Sequence, residues 1–202
     1  MKILSLDIET TGIDHDEDLI LSLGAILEDT NNIKPIDELP KFHIYVDYNR
    51  LVGDLIGITM NQKNLEKIIQ LRNKAYSLLN KSYVDKLVNN TNELSMYFNE
   101  WISQHATFDN NIVIAGKNVA RFDLPFLESK VFGKNYFYSS SKFSKRTIDP
   151  SVYFIDWSNE VLPSTELCLA RAGIKSDVQH DALGDCINVI KLIRHATNNY
   201  TK

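Results

Sequence analysis

The sequence predicts an α/β sandwich around a mixed sheet. Two observations lead there: strand-like segments open the chain, and from its middle onward apolar strand and helix patterns alternate. A third bounds the architecture. A chain of 202 residues with no internal repeat and no low-complexity linker suits one compact domain, residues 1–202, long enough to bury a core.

Taken in order, Lys2–Glu9 reads as a first strand rich in Ile and Leu. Leu19–Leu27 and Phe42–Asp47 read as two more, giving an N-terminal meander separated by turn chemistry around Gly12–Asp18 and Asn31–Pro40. The middle is helical: Leu65, Ile68, Ile69, Tyr76 and Leu79 fall near helical spacing, and so do Leu94, Tyr97, Phe98, Trp101 and Ile102. Asn111–Ala115 is a short apolar run left at Gly116, as expected of a buried parallel strand, and a short helix follows through Leu124–Lys130. Thr147–Phe154 predicts a further strand that Pro150 breaks or confines to an edge. Ser164 is a good N-cap for a helix through Arg171, with Gly173 as its stop. The last helix runs from about Asp181 to Ala196 and buries Leu183, Ile187, Ile190 and Leu192.

Composition excludes little. The chain is 44% apolar and 24% charged, near the average for soluble domains, and its net charge of −4 is too mild to announce or exclude a nucleic-acid partner. Cys168 and Cys186 have no ligand-like spacing and read as reduced core thiols. MKILSLDIETTG is too short and too acidic for a signal peptide, and no apolar run could span a bilayer, so the expectation is a cytoplasmic protein without membrane contact.

Three acidic signals carry chemistry. Alternation along the first strand places Asp7 and Glu9 on one face, where two adjacent carboxylates repel unless solvent or a divalent cation compensates them. Hard oxygen ligands suit Mg²⁺ or Mn²⁺ rather than zinc. The second signal is GKNVARFDLPFLES, residues 116–129, with Asp123 opening an amphipathic helix. The third is HDALGD, residues 180–185, with His180 just before the final helix and Asp185 inside it. Each alone is weak, because a D-x-E triplet arises by chance about once in a chain of this composition. Together they supply the parts that phosphodiester hydrolysis needs: carboxylates for two divalent ions, and an imidazole that titrates near neutral pH as general base.

These residues resemble the DEDDh 3′-to-5′ exonuclease family of the ribonuclease H-like fold. The first motif of that family is similar to SLDIETTG at residues 5–12, the second to GKNVARFDLPFL and the third to HDALGD, with ELCLARAGI at 166–174 similar to the helix before the last motif. The resemblance implies a three-layer sandwich with a central mixed five-stranded sheet flanked by helices. It implies two ions per site, Mg²⁺ or Mn²⁺: Asp7 would bridge both, Glu9 and Asp185 would serve the nucleophile-side ion, and Asp123 the second through water. His180 would deprotonate the attacking water, and Thr10, Thr11 and Gly12 would meet the terminal nucleotide and its 3′-hydroxyl. Met60 and Asn61, in ITMN, resemble a stretch that wedges against terminal bases, though Met60 also reads as a core residue. Lys117 and Asn118 are further substrate candidates, with the reservation that Asn118 to Asp123 is a five-residue step where many relatives have four, a spacing similar to the oligoribonuclease branch.

The expected function is therefore metal-dependent hydrolysis of single-stranded DNA from its 3′ end to nucleoside 5′-monophosphates, with RNA as the alternative polymer. An oligoribonuclease-like exoribonuclease and a catalytically silent nucleic-acid- or polymerase-binding module are the rival readings, and a polymerase or repair protein is a conceivable partner. A Rossmann-type nucleotide binder fails, because no glycine-rich turn follows the first strand. Residues 129–148 carry Lys130, Lys134, Lys142, Lys145 and Arg146 among Tyr136, Phe137, Tyr138 and Phe143, without an acidic residue after Glu128. That segment reads either as a phosphate-tracking, base-stacking surface or as a loop with core-facing rings. Asp181, directly after His180, is expected to cap the last helix.

Overall fold

The computed structural model describes residues 1–73, 82–106, 111–158, 161–175 and 181–198. Two long strands, β1 (Lys2–Thr10) and β2 (Ile20–Asp29), pair antiparallel, and β3 (Lys41–Val46) pairs antiparallel with β2 on its other side. A capped turn of helix, α1 (Leu55–Met60), leads into α2 (Gln62–Asn73). Then follow β4 (Val84–Val88), α3 (Thr91–His105) and β5 (Ile112–Ala115). Short helices α4 (Asp123–Leu127) and α5 (Tyr136–Ser139), joined through a π-helical turn, bring the chain to β6 (Phe143–Ile148). Two helices, α6 (Thr165–Arg171) and α7 (Ala182–Ala196), close the described fold.

The strands form one mixed sheet in the order β4-β3-β2-β1-β5-β6, in which β2 alone runs against its neighbours. The expected sheet had five strands, and the sixth is β4. Its signal is faint because it is an edge strand, pairing with β3 alone, with mixed polarity, and Asp85 bends it in the left-handed region at φ 57°. The strand expected over Thr147–Phe154 instead spans Phe143–Ile148. Pro150 opens a 3₁₀ turn over Pro150–Phe154, and Asp149 caps it by accepting from the Ser151 amide at 2.9 Å. Tyr76 and Leu79, read above as helical, lie outside the described residues.

Alternation in β1 divides the molecule into layers. Leu4, Leu6 and Ile8 face a large core shared with Phe42, Phe98 and Trp101. Ile3 faces the opposite side, where Ile26 and Ala115 pack on Cys186, Val189, Ile190 and Ile193 of α7. Asp7 and Glu9 continue that second face beyond the apolar contact, so the strand that builds the core also aims both carboxylates past the start of α7. The rings of the 129–148 segment resolve toward the core: Phe137 and Phe143 are buried, and Tyr136 stacks on Phe132 with centroids 4.4 Å apart. Tyr138 remains exposed.

Candidate active site

Sheet register brings the acidic residues together. Asp7 lies opposite Gly24, which lies opposite His43, and Glu9 lies opposite Ser22, which lies opposite Tyr45. Two rows therefore cross β1, β2 and β3 on the face that carries α7. The helix reaches this face because Gly24 has no side chain: a Cβ there would sit 2.4 Å from the Ala182 carbonyl carbon and 2.5 Å from the Leu183 nitrogen. Asp181 N-caps α7, its Oδ2 accepting from the Gly184 amide at 3.0 Å, as the sequence suggested. Asp185, in the first helical turn, is thereby set against β1. Asp7, Glu9 and Asp185 each offer an oxygen within 4.8 Å of the others.

Asp123 arrives by another route. The last register pair between β1 and β5 is Ser5 with Ala115, and β1 runs on without that neighbour. The Ile8 amide, left beyond the ladder, donates to Asp123 Oδ1 at 3.0 Å. Asp123 is buried at the start of α4 and stands outside the close trio, yet its charge reaches both Asp7 and Glu9.

The cluster cannot ionise comfortably. Burial first, then Asp123, Glu9, Asp185 and Asp181, holds the Asp7 carboxyl well above the usual range. Burial and then Asp185, Asp181 and Asp123 push Glu9 up to about 8, against a hydrogen bond from Asn61 that lowers it. Burial raises Asp123 to about 7, offset in part by the Ile8 amide. Carboxylates so raised, by burial first and by one another at Asp7 and Glu9, are stabilised as anions by a divalent cation, and an all-oxygen donor set matches Mg²⁺ or Mn²⁺. The residues fit the group.

Beside Glu9 opens a cleft of about 660 Å³, with Ile8, Thr10 and Gly12 on one side and Leu55, Ile56 and Met60 on the other. Met60 lines it and is exposed, so the reading of Met60 as a core residue does not hold. Asn61 is buried beneath: its amide donates to the Thr10 carbonyl at 2.9 Å, tying α1 to the end of β1. The Thr10 hydroxyl donates to the Gly12 carbonyl and the Thr11 hydroxyl to the Val52 carbonyl, each at 2.6 Å, so both are committed to shaping the turn. A Cβ at Gly12 would lie 2.2 Å from Asp18 Oδ2 and 2.5 Å from Asp54 Oδ2, so both carboxylates would have to shift. Leu55, Ile56 and Phe122 complete the cleft and were not singled out from sequence. The available signal was Asp54, which caps α1 through the Gly57 amide at 2.7 Å and exposes two large apolar residues directly after it.

Lys117 and Asn118 sit elsewhere. The Lys117 ammonium donates to the Pro163 carbonyl, and Asn118, in the left-handed region at φ 54°, gives its amide to Asp149 at 2.9 Å. His180 lies outside the described residues and directly precedes Asp181 in the sequence.

A family model described as exonuclease matches residues 4–193. The chain belongs to the RNase T exonuclease family. The match bears out the family resemblance that the three motifs carried. Solved structures agree on the ribonuclease H-like fold. E. coli exonuclease I in complex with a dT oligonucleotide is 16% identical at a TM-score of 0.63, over 98% of this chain and 41% of that one. The zinc-ion-bound form of the E. coli exonuclease I–single-stranded DNA complex is 19% identical at 0.62, over 98% and 40%. Cell-death related nuclease 4 is 13% identical at 0.62, over 98% and 64%. This exonuclease-family chain thus spans well under half the length of exonuclease I. No curated protein sequence matches it. Among its described residues, no helix is long and apolar enough to cross a membrane.

Proposed function

We propose that the chain is a divalent-metal-dependent 3′-to-5′ exonuclease that takes single-stranded DNA ends and releases nucleoside 5′-monophosphates. The observation that carries the reading is the trio Asp7, Glu9 and Asp185, with oxygens within 4.8 Å of one another at the end of an open apolar cleft. Asp7, Glu9 and Asp185 would hold one Mg²⁺ or Mn²⁺, and Asp7 with Asp123 would hold a second. Such ions supply Lewis-acid polarisation of the phosphoryl group and a more acidic water.

The chain's own residues supply the rest. His180, one residue before the α7 cap, is the proposed general base, since an unperturbed imidazole suits proton removal near neutrality. The main chain at Thr10 and Gly12 borders the cleft and is the proposed contact for the terminal sugar, with the Thr10 and Thr11 hydroxyls holding that turn in shape. Met60, with Leu55 and Ile56, offers apolar surface to the terminal base, and Asn61 acts beneath them as a strut. Lys117 and Asn118 lie beyond this lining and in this reading brace the loop before α4.

The test is a strand-shortening assay on 5′-labelled single-stranded DNA and RNA of one sequence, with Mg²⁺ or Mn²⁺, beside Asp7→Ala. A ladder receding from the 3′ end, absent with chelator and in the variant, supports the reading, and the faster strand identifies the sugar. No shortening of either strand by folded protein in any metal overturns it in favour of a silent binding module.

A further inference from the structure

His43 has no evident partner near it in the sequence, and the fold brings it against Asp181. It sits in the middle of β3, only 3% exposed, on the row that runs Asp7, Gly24, His43. That row is the floor on which α7 begins. Gly24 lets the Ala182–Leu183 backbone come down onto β2, and the neighbouring place is filled by the imidazole. Its Nε2 lies 3.4 Å from Asp181 Oδ1, while Asp181 Oδ2 caps the Gly184 amide. That approach is an ion-pair distance, and among the described residues no hydrogen bond satisfies this buried nitrogen.

The remaining groups around the ring fix it in place. Tyr45 packs on it with centroids 4.5 Å apart, Asp85 of β4 stands 4.0 Å from Nδ1, and Lys67 of α2 pairs with Asp85 at 2.7 Å. The ring is therefore flanked by Tyr45 of its own strand and Asp85 of β4 and directed at the start of α7. Groups outside the ligand set orient the ligands of metal sites, and Asp181 stands one helical turn before Asp185.

We infer that His43 is a positioning residue: with Gly24 it seats the first turn of α7, steering the Asp181 carboxylate so that Asp185 meets Asp7 and Glu9. The inference rests on the proposed role of Asp185, and its structural half is measurable without activity. A carboxylate bonded on one oxygen by the helix and faced on the other by the imidazole is restrained from both sides, whereas a cap contacted on one side can turn.

Three variants test it. His43→Leu removes the nitrogen, His43→Gln keeps an amide N–H near the position of Nε2, and Asp181→Ser keeps a capping hydroxyl too short to reach the imidazole. Amide exchange is followed at Gly184, Asp185 and Cys186, with the strand amides of β1 as internal reference, alongside kcat and KM on a single-stranded oligonucleotide. For His43→Leu and Asp181→Ser the expected result is faster exchange in this turn alone and a kcat lower by about 10- to 100-fold at unchanged KM. His43→Gln should recover most of both. Unchanged exchange in Asp181→Ser, or a Gln variant no better than Leu, overturns the inference. If His43→Leu does not fold, the Gln and Ser variants decide it. Wild-type protein that cleaves nothing refutes the function proposed above while the exchange comparison still reports on the seat.

Discussion

Glu9→Gln removes one charge from a cluster that repels itself, so without divalent cations the variant should be more stable than the natural protein at alkaline pH. Burial and then Asp185, Asp181 and Asp123 move this carboxyl from 4.5 up to about 8. When an acid is raised in the folded state, the fold prefers it protonated. Its stabilising contribution is full below the unfolded value and is lost as pH rises through the folded one, here between 4.5 and about 8. At about 1.4 kcal/mol per pH unit the whole displacement is worth about 5 kcal/mol. Water reaching a cleft-edge carboxylate removes about half of that, leaving about 2–3 kcal/mol. In a chain of this length each kcal/mol moves the melting temperature by about 2–4 °C, so the difference at pH 9 is about 5–10 °C. The assay is thermal melting of both proteins in chelator from pH 5 to pH 9, then with Mn²⁺ added. The two should melt together at pH 5 and separate as pH rises, the natural protein falling faster. Mn²⁺ should then raise the natural protein more than the variant. A variant that melts below the natural protein in chelator at pH 9, or a natural protein that gains stability across this range, would refute the account of the cluster.

Gly24→Ala places a methyl group against the Ala182–Leu183 backbone, neither of which can turn aside; a loss of at least about 2 kcal/mol in urea unfolding is expected, together with activity. Arg194→Ala strands Glu28, which is fully buried and paired with that guanidinium at 2.6 Å, so about 3–5 kcal/mol should disappear from the same measurement with the cleft untouched. Met60→Ala should leave the melting temperature nearly unchanged, the side chain being 60% exposed, while raising KM for single-stranded oligonucleotides several-fold and sparing kcat.

What the sequence made legible was what depends on local pattern. The first strand could be read because Ile and Leu alternate around Asp7 and Glu9, and the last helix because Asp181 caps a stretch with clear periodicity. β4 could not be read, since charged Asp85 and Lys86 interrupt its apolar residues and only Val88 of its five is fully buried. The end of β6 was misplaced because Asp149 and Pro150 redirect the backbone into a 3₁₀ turn that propensity alone does not distinguish from a broken strand. Met60 was ambiguous for a different reason: an apolar residue on a short helix looks the same whether it faces a core or a cleft. His43 illustrates the limit most clearly. Nothing near it in the chain suggests a partner, and its relation to Asp181 exists only through the register of three strands.

That register also explains how a fold can hold carboxylates that push one another apart. The repulsion at Asp7, Glu9 and Asp185 acts on the first turn of α7, the weakest part of any helix because its amides lack helical partners. Farther along, Val189, Ile190 and Ile193 are buried against Ile3, Ile26 and Ala115, and side chains of this size contribute about 1.5–3 kcal/mol each on burial. The helix is therefore anchored by its middle and strained at its start. Asp181 offsets part of that strain by satisfying the Gly184 amide, and Gly24 removes the steric obstacle to close approach. In the proposed function this seat sets Asp185 against Asp7 and Glu9, the trio that would hold a cation. It also places the charge cluster where a small displacement of one helical turn changes the distance between Asp185 and β1 without disturbing the core.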